Sequence, residues 1–91
     1  MIKISKDEFL RKIQNVHYAI SVTGKKYSSI QIKGNECSGI REDTGKPFVI
    51  NIDNLYLAYK ELEHINTKSL KKYVDRVQSP SLAILMEAKL I

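Results

Sequence analysis

Cysteine occurs once in this 91-residue chain, at Cys37, and histidine only twice. One thiol cannot form an internal disulfide, and it cannot build a cysteine-cluster zinc site. His17 and His64 form no HxxxH or HxH pair, so a metal site would need ligands from distant parts of the chain. Long apolar runs are also missing. The longest, Leu82 to Met86, falls far short of the roughly 20 residues that span a bilayer. The segment MIKISKDEFLRK has no apolar stretch of the signal-peptide kind. No internal repeat, low-complexity tract or linker interrupts the chain, and a second core would need more residues than are present. These absences lead us to expect a single cytoplasmic domain, residues 1–91, with no membrane partner.

What is present is an ordinary globular mixture, 43% hydrophobic and 27% charged, which argues against disorder. Fifteen Lys and Arg against ten Asp and Glu give a net charge of +5, a lean towards an anionic partner such as nucleic acid.

Local patterns give an order of elements. Ser5 and Glu8 have the spacing of a capping box, with Ile4 and Phe9 placed as a hydrophobic staple. Phe9, Ile13, Val16 and Ile20 then recur at helical spacing, predicting a helix from Lys6 to at least Val16 with His17 on its apolar side. Ile20, Val22 and Thr23 are β-branched and suit a strand equally well. In YSSIQIK, Ile30 and Ile32 alternate with polar residues as in a half-buried strand. Gly34-Asn35 suits a tight hairpin turn, and Glu36 to Glu42 returns as a second strand, with Gly39 a candidate bulge. After the turn Asp43-Thr44-Gly45-Lys46, Pro47 opens a third strand whose apolar face is Phe48, Ile50 and Ile52.

Three helices are expected beyond Asn51. Asp53 caps the first, which carries Leu55, Ala58, Tyr59, Leu62 and Ile65 on one side and His64 in its last turn. Thr67 caps the second, with Leu70, Val74 and Val77 buried. Ser79-Pro80 opens the third, which is apolar nearly all round. The predicted architecture is α+β: an N-terminal helix, a three-stranded antiparallel meander, then three C-terminal helices packed on one sheet face.

Two basic groups stand out. Thr44-Gly45-Lys46 is not a phosphate-binding loop, because that motif needs GxxxxGK[ST] leading into a helix, and here Pro47 leads into a strand. It leaves a hairpin with Arg41 and Lys46 beside the turn. The stretch GIREDTGKPFVINI resembles the second and third strands of the DNA-reading sheets of AP2-type domains and tyrosine-integrase N-terminal domains. Gly39, Ile40, Arg41, Gly45, Lys46 and Phe48 carry the resemblance, with a helix following; Pro47 stands where an aromatic is more usual, and the first and last two helices lie outside it. The resemblance implies DNA contact by Arg41, Lys46 and Lys33. The second group is Lys68, Lys72 and Arg76 at i, i+4 and i+8, with Lys71 beside them, a basic stripe on the expected second helix. The linker HINT before that helix suggests a helix-turn-helix with the lysine-rich helix as reader.

No catalytic constellation is visible, so a non-enzymatic binding domain is expected, with no cofactor, no metal and no small-molecule ligand. Nucleic acid leads as partner, through Lys33, Arg41, Lys46, Lys68, Lys71, Lys72 and Arg76. The alternative is a protein-interaction or homodimerisation module, suggested by five tyrosines and by a last helix that is hard to cover within so short a chain.

Overall fold

A computed structural model describes residues 3–91. The chain forms an α+β fold in which four antiparallel strands lie in sequence order, β1 (Ala19–Ile20), β2 (Lys26–Lys33), β3 (Glu36–Arg41) and β4 (Pro47–Asn51). Helix α1 (Lys6–Gln14) precedes the sheet, and α2 (Ile52–Glu61), α3 (Thr67–Leu70) and α4 (Gln78–Glu87) follow it.

Ser5 caps α1 by accepting from the Glu8 amide at 3.3 Å, and Phe9 and Ile13 are its buried residues. The helix stops at Gln14, before Val16, because Ala19 is needed in the sheet. Ala19 pairs with Tyr27 and Ile20 with Lys26, so the β-branched run after Tyr18 supplies a fourth strand where three were expected. His17 thus lies beyond the helix, exposed, with its Nδ1 3.3 Å from the Ile30 carbonyl.

The expected bulge exists, but on the other strand. Between Ser28↔Ile40 and Gln31↔Ser38, β2 contains one extra residue, and Ser29 there takes a positive φ of 52°. The extra residue lets both Tyr27 and Ile30 face the core despite their odd spacing. Gly39 instead stays in the regular ladder opposite Phe48, whose ring lies over it. Gly34 and Gly45 occupy the positive-φ turn positions, and Pro47 is the first residue of β4.

Caps decided the helix boundaries differently from the expectation. Asn51, not Asp53, caps α2, accepting from the Asn54 amide at 3.0 Å. Asp53 pairs with Lys6 and accepts from Asn35, and the hydrogen bond from Lys6 holds its carboxyl below the usual Asp range. Asn66, not Thr67, caps α3 through a reciprocal capping box with Ser69. Helix α3 ends after one turn, and irregular turns carry the chain to Arg76, which has a positive φ of 70°. A continuous helix would have stacked Lys68, Lys72 and Arg76 on one side, and like charges at that spacing are unfavourable. The helix-turn-helix and the basic stripe both fall with it. Helix α4 starts at Gln78 with Pro80 in its first turn, where a missing N–H costs nothing, while Ser79 turns to Tyr27.

One sheet face joins the core, contributing Ala19, Tyr27, Ile30, Cys37, Phe48 and Ile50. Phe9 and Ile13 of α1, Leu55, Ala58 and Tyr59 of α2, and Leu82 to Leu85 of α4 complete it. The last helix, apolar round its circumference, is therefore covered by its own chain from Pro80 to Leu85. Among its buried atoms, the Ser81 hydroxyl has no hydrogen-bond partner. Ser81→Ala removes that uncompensated group, so it is expected to raise stability by about 1 kcal/mol, or roughly 4–8 °C in melting temperature. Thermal denaturation followed by circular dichroism measures this, and a lower melting point would mean that the hydroxyl is satisfied.

The other sheet face is open. It carries Ile20 and Val49, each about half exposed at 50% and 51%, together with Ser28, Gln31 and Ser38. Among the described residues no helix is long and apolar enough to cross a membrane.

Candidate nucleic-acid interface

The antiparallel order puts the β1–β2 and β3–β4 turns at one end of the sheet, and the β2–β3 turn at the other. The β1–β2 turn is tied by its own backbone. Ser21 donates to the Lys25 carbonyl at 2.8 Å, and the Gly24 amide donates to the Ser21 carbonyl at 2.9 Å with Gly24 at φ 88°. The Ser21 hydroxyl accepts from the Lys25 amide at 3.1 Å and shares a hydrogen bond with Thr23. Thr23 and Lys25 are thereby held outwards on a short, braced loop.

Across from that loop stands the segment from Thr67 to Ser79. Buried Leu70 and Val74 anchor it, which leaves Lys68 and Lys71 exposed. The Tyr27 and Ser79 hydroxyls, 2.8 Å apart, tie β2 to the start of α4. Val77, the residue before α4, gives the helix no side-chain cap. Between loop and segment runs an open groove of about 600 Å³, with Thr23 and Lys25 on one side, Thr67, Lys68 and Lys71 on the other, and Gln78 and Ser79 at the helix start.

The electrostatics of the groove are one-sided. The ion pair found among the described residues is Lys6–Asp53, so Lys25, Lys68 and Lys71 have no carboxylate partner. A smaller cleft of about 310 Å³ carries Glu42 and Asp43 with Lys26, and Thr23 and Lys25 line it as well. The β1–β2 turn is thus the ridge between an acid-bearing cleft and a groove lined only by cations and neutral polar groups.

The seven basic residues singled out from the sequence do not form one surface. Lys68 and Lys71 line the groove, while Lys72 and Arg76 are exposed nearby in sequence but outside its lining. Lys46 is exposed on the β3–β4 turn, at the same end of the sheet. Lys33 lies at the opposite end, paired across the ladder with Glu36. Arg41 is on the core side of the sheet, opposite Tyr27, and not on the open face that a DNA-reading sheet would present. Its Nη1 donates to the Pro47 carbonyl and its Nη2 to the Arg76 carbonyl, both at 3.1 Å, with the guanidinium 5.9 Å from the Phe48 ring centre. Arg41 is a clamp between the β3–β4 hairpin and the turn before α4.

Lys25 is the residue that the sequence reading missed. Its signal was the run Thr23-Gly24-Lys25-Lys26, a turn composition that gains meaning only once β1 is recognised. Cys37 is fully buried, and burial pushes its thiol up to about 11. His64 lies past the end of α2, exposed, rather than in its last turn. Among the described residues no three His, Cys, Asp or Glu side chains are grouped to hold a metal ion.

Comparison with family models, with curated proteins and with solved structures returned no match, so the candidate interface is argued from this chain's own residues.

Proposed function

We propose that this chain is a small, non-enzymatic domain that binds nucleic acid, specifically DNA, at the end of its sheet carrying the β1–β2 turn. The observation that carries the reading is the convergence of Lys25, Lys68 and Lys71, all without carboxylate partners, on one open groove. Unpaired surface cations repel one another, and a polyanion relieves that repulsion while releasing its own condensed counterions. Lys46, at the same end of the sheet, extends the positive field beyond the groove. Lys33 and Arg41 take no direct part: the first is at the far end and the second is committed to two carbonyls.

Association with another protein is the second reading, and the open sheet face favours it through exposed Tyr18, Ile20 and Val49. The last helix adds only Met86 to it, since the chain itself covers Pro80 to Leu85.

One titration separates the two. A labelled DNA duplex is added at low salt to the wild type, to a Lys25→Glu/Lys68→Glu/Lys71→Glu variant and to Lys33→Glu. The triple reversal is expected to weaken binding by at least about 100-fold, through lost phosphate contacts and new repulsion. Lys33→Glu is expected to change it by no more than about threefold, since it acts only through the screened long-range field. A wild type that leaves the duplex unbound at low salt would overturn the proposal in favour of the protein-interaction module.

A further inference from the structure

Resting on that reading, we infer that the groove grips the sugar–phosphate backbone of duplex DNA and does not read bases. The donors in the groove are of the phosphate-holding kind. Three ammonium groups act as point charges, with Thr67 beside them and Thr23, whose hydroxyl already shares a hydrogen bond with Ser21. Base edges are read most selectively by planar, bidentate side chains, chiefly arginine, asparagine and glutamine; a lysine can reach guanine but has no planar fork to fix the geometry. The groove holds a single one, Gln78, and it is half-buried. The guanidinium of Arg41 is already spent on the Pro47 and Arg76 carbonyls.

Single strands are bound differently, by stacking their bases on exposed aromatic rings. Among the described residues no such platform stands beside the lysines. Phe9, Tyr27, Phe48 and Tyr59 belong to the core. Tyr56 and Tyr73 are half-buried, with their hydroxyls bonded to the Ile4 carbonyl and to Glu61. Tyr18, the one exposed ring among the described residues, lies beside the sheet's edge strand and does not line the groove. A duplex, with about one negative charge per 1.7 Å of its axis, is the denser array of phosphates for three fixed cations to meet.

The inference makes the ionic-strength dependence quantitative. Three neutralised phosphates give a slope of log affinity against log salt of about −2.7. Affinity therefore falls by about 40-fold between roughly 50 and 200 mM salt. Fluorescence anisotropy with short labelled duplexes of unrelated sequence, and with their separated strands, measures the slope and both preferences. The expected result is that slope, affinities within a few-fold of each other across sequences, and weaker binding of the single strands. Lys71→Gln is expected to make the slope shallower by about 0.9, which damage to the fold alone would not do. Tighter binding of single strands, more than tenfold discrimination between sequences, or a slope unmoved in Lys71→Gln would overturn the inference while leaving nucleic-acid binding in place. Absence of binding to every probe would end both.

Discussion

Phe9→Ala is expected to cost about 4 kcal/mol, the largest loss from any single truncation considered for this chain. Phe9 is wholly buried and packs α1 against the aromatic rings of α2. Its ring lies 5.2 Å from that of Tyr56, edge-on, and 5.2 Å from that of Tyr59. The two tyrosines also hold the chain before α1: Tyr56 donates to the Ile4 carbonyl at 3.0 Å, and the Tyr59 hydroxyl accepts from the Ile4 amide at 3.2 Å. Lys3 adds a bond to the Tyr59 carbonyl and lies 4.5 Å from the centre of its ring. Emptying the Phe9 site removes aromatic contact and leaves a cavity beneath these bonds, which cannot collapse without breaking them. A domain of this length has a total stability of about 5–13 kcal/mol, so the variant should melt roughly 15–30 °C lower, or be unfolded at room temperature. Calorimetry decides it. A melting point within a few degrees of the wild type would show that α1 is not part of the cooperative unit.

Gly39→Val is expected to destabilise by about 2–3 kcal/mol, although valine is the better strand former. A Cβ at position 39 would stand 2.7 Å and 2.8 Å from two carbons of the Phe48 ring and 3.0 Å from the Ser28 carbonyl oxygen. The ring has little room to withdraw, being buried and packed edge-on against Tyr27 with centroids 5.7 Å apart. The backbone at Gly39 is not in the left-handed region, so the cost is steric and should be recoverable. Gly39→Ala in a Phe48→Leu background is therefore expected to be better tolerated than Gly39→Ala alone. Denaturant unfolding of these variants, with the wild type and Phe48→Leu as references, tests this, and a stabilised Gly39→Val would refute the close approach.

The residues that set local geometry were readable in the sequence. Ser5 announced α1, Gly34 and Gly45 the two turns, and Pro47 the start of β4, because each acts on its own backbone. The misplacements arose where two neighbours offered similar chemistry and distant packing chose between them. Asn51 and Asp53 are both competent caps, and Asp53 was drawn away by Lys6 and Asn35. Thr67 gave way to Asn66, and Ser79 to its bond with Tyr27. The bulge at Ser29 left no local trace, since Tyr27 and Ile30 read equally well as members of either face. The candidate site was half legible for the same reason. Lys68 and Lys71 were conspicuous as charge, but their partner Lys25 is brought to them only by the Tyr27–Ser79 tie and by a two-residue strand.

That two-residue strand has a consequence for how copies of the chain behave in crowded solution. An open sheet face with exposed Ile20 and Val49 would ordinarily invite strand-by-strand growth from either border. Here the β1 border is broken, since two residues of β1 cover only the start of β2, and the β4 border begins with a proline that withholds one donor. The net charge of +5 adds mutual repulsion. The sheet is left open on its face and with interrupted borders, which lowers the liability to fibrous assembly that an unsheltered β-surface carries.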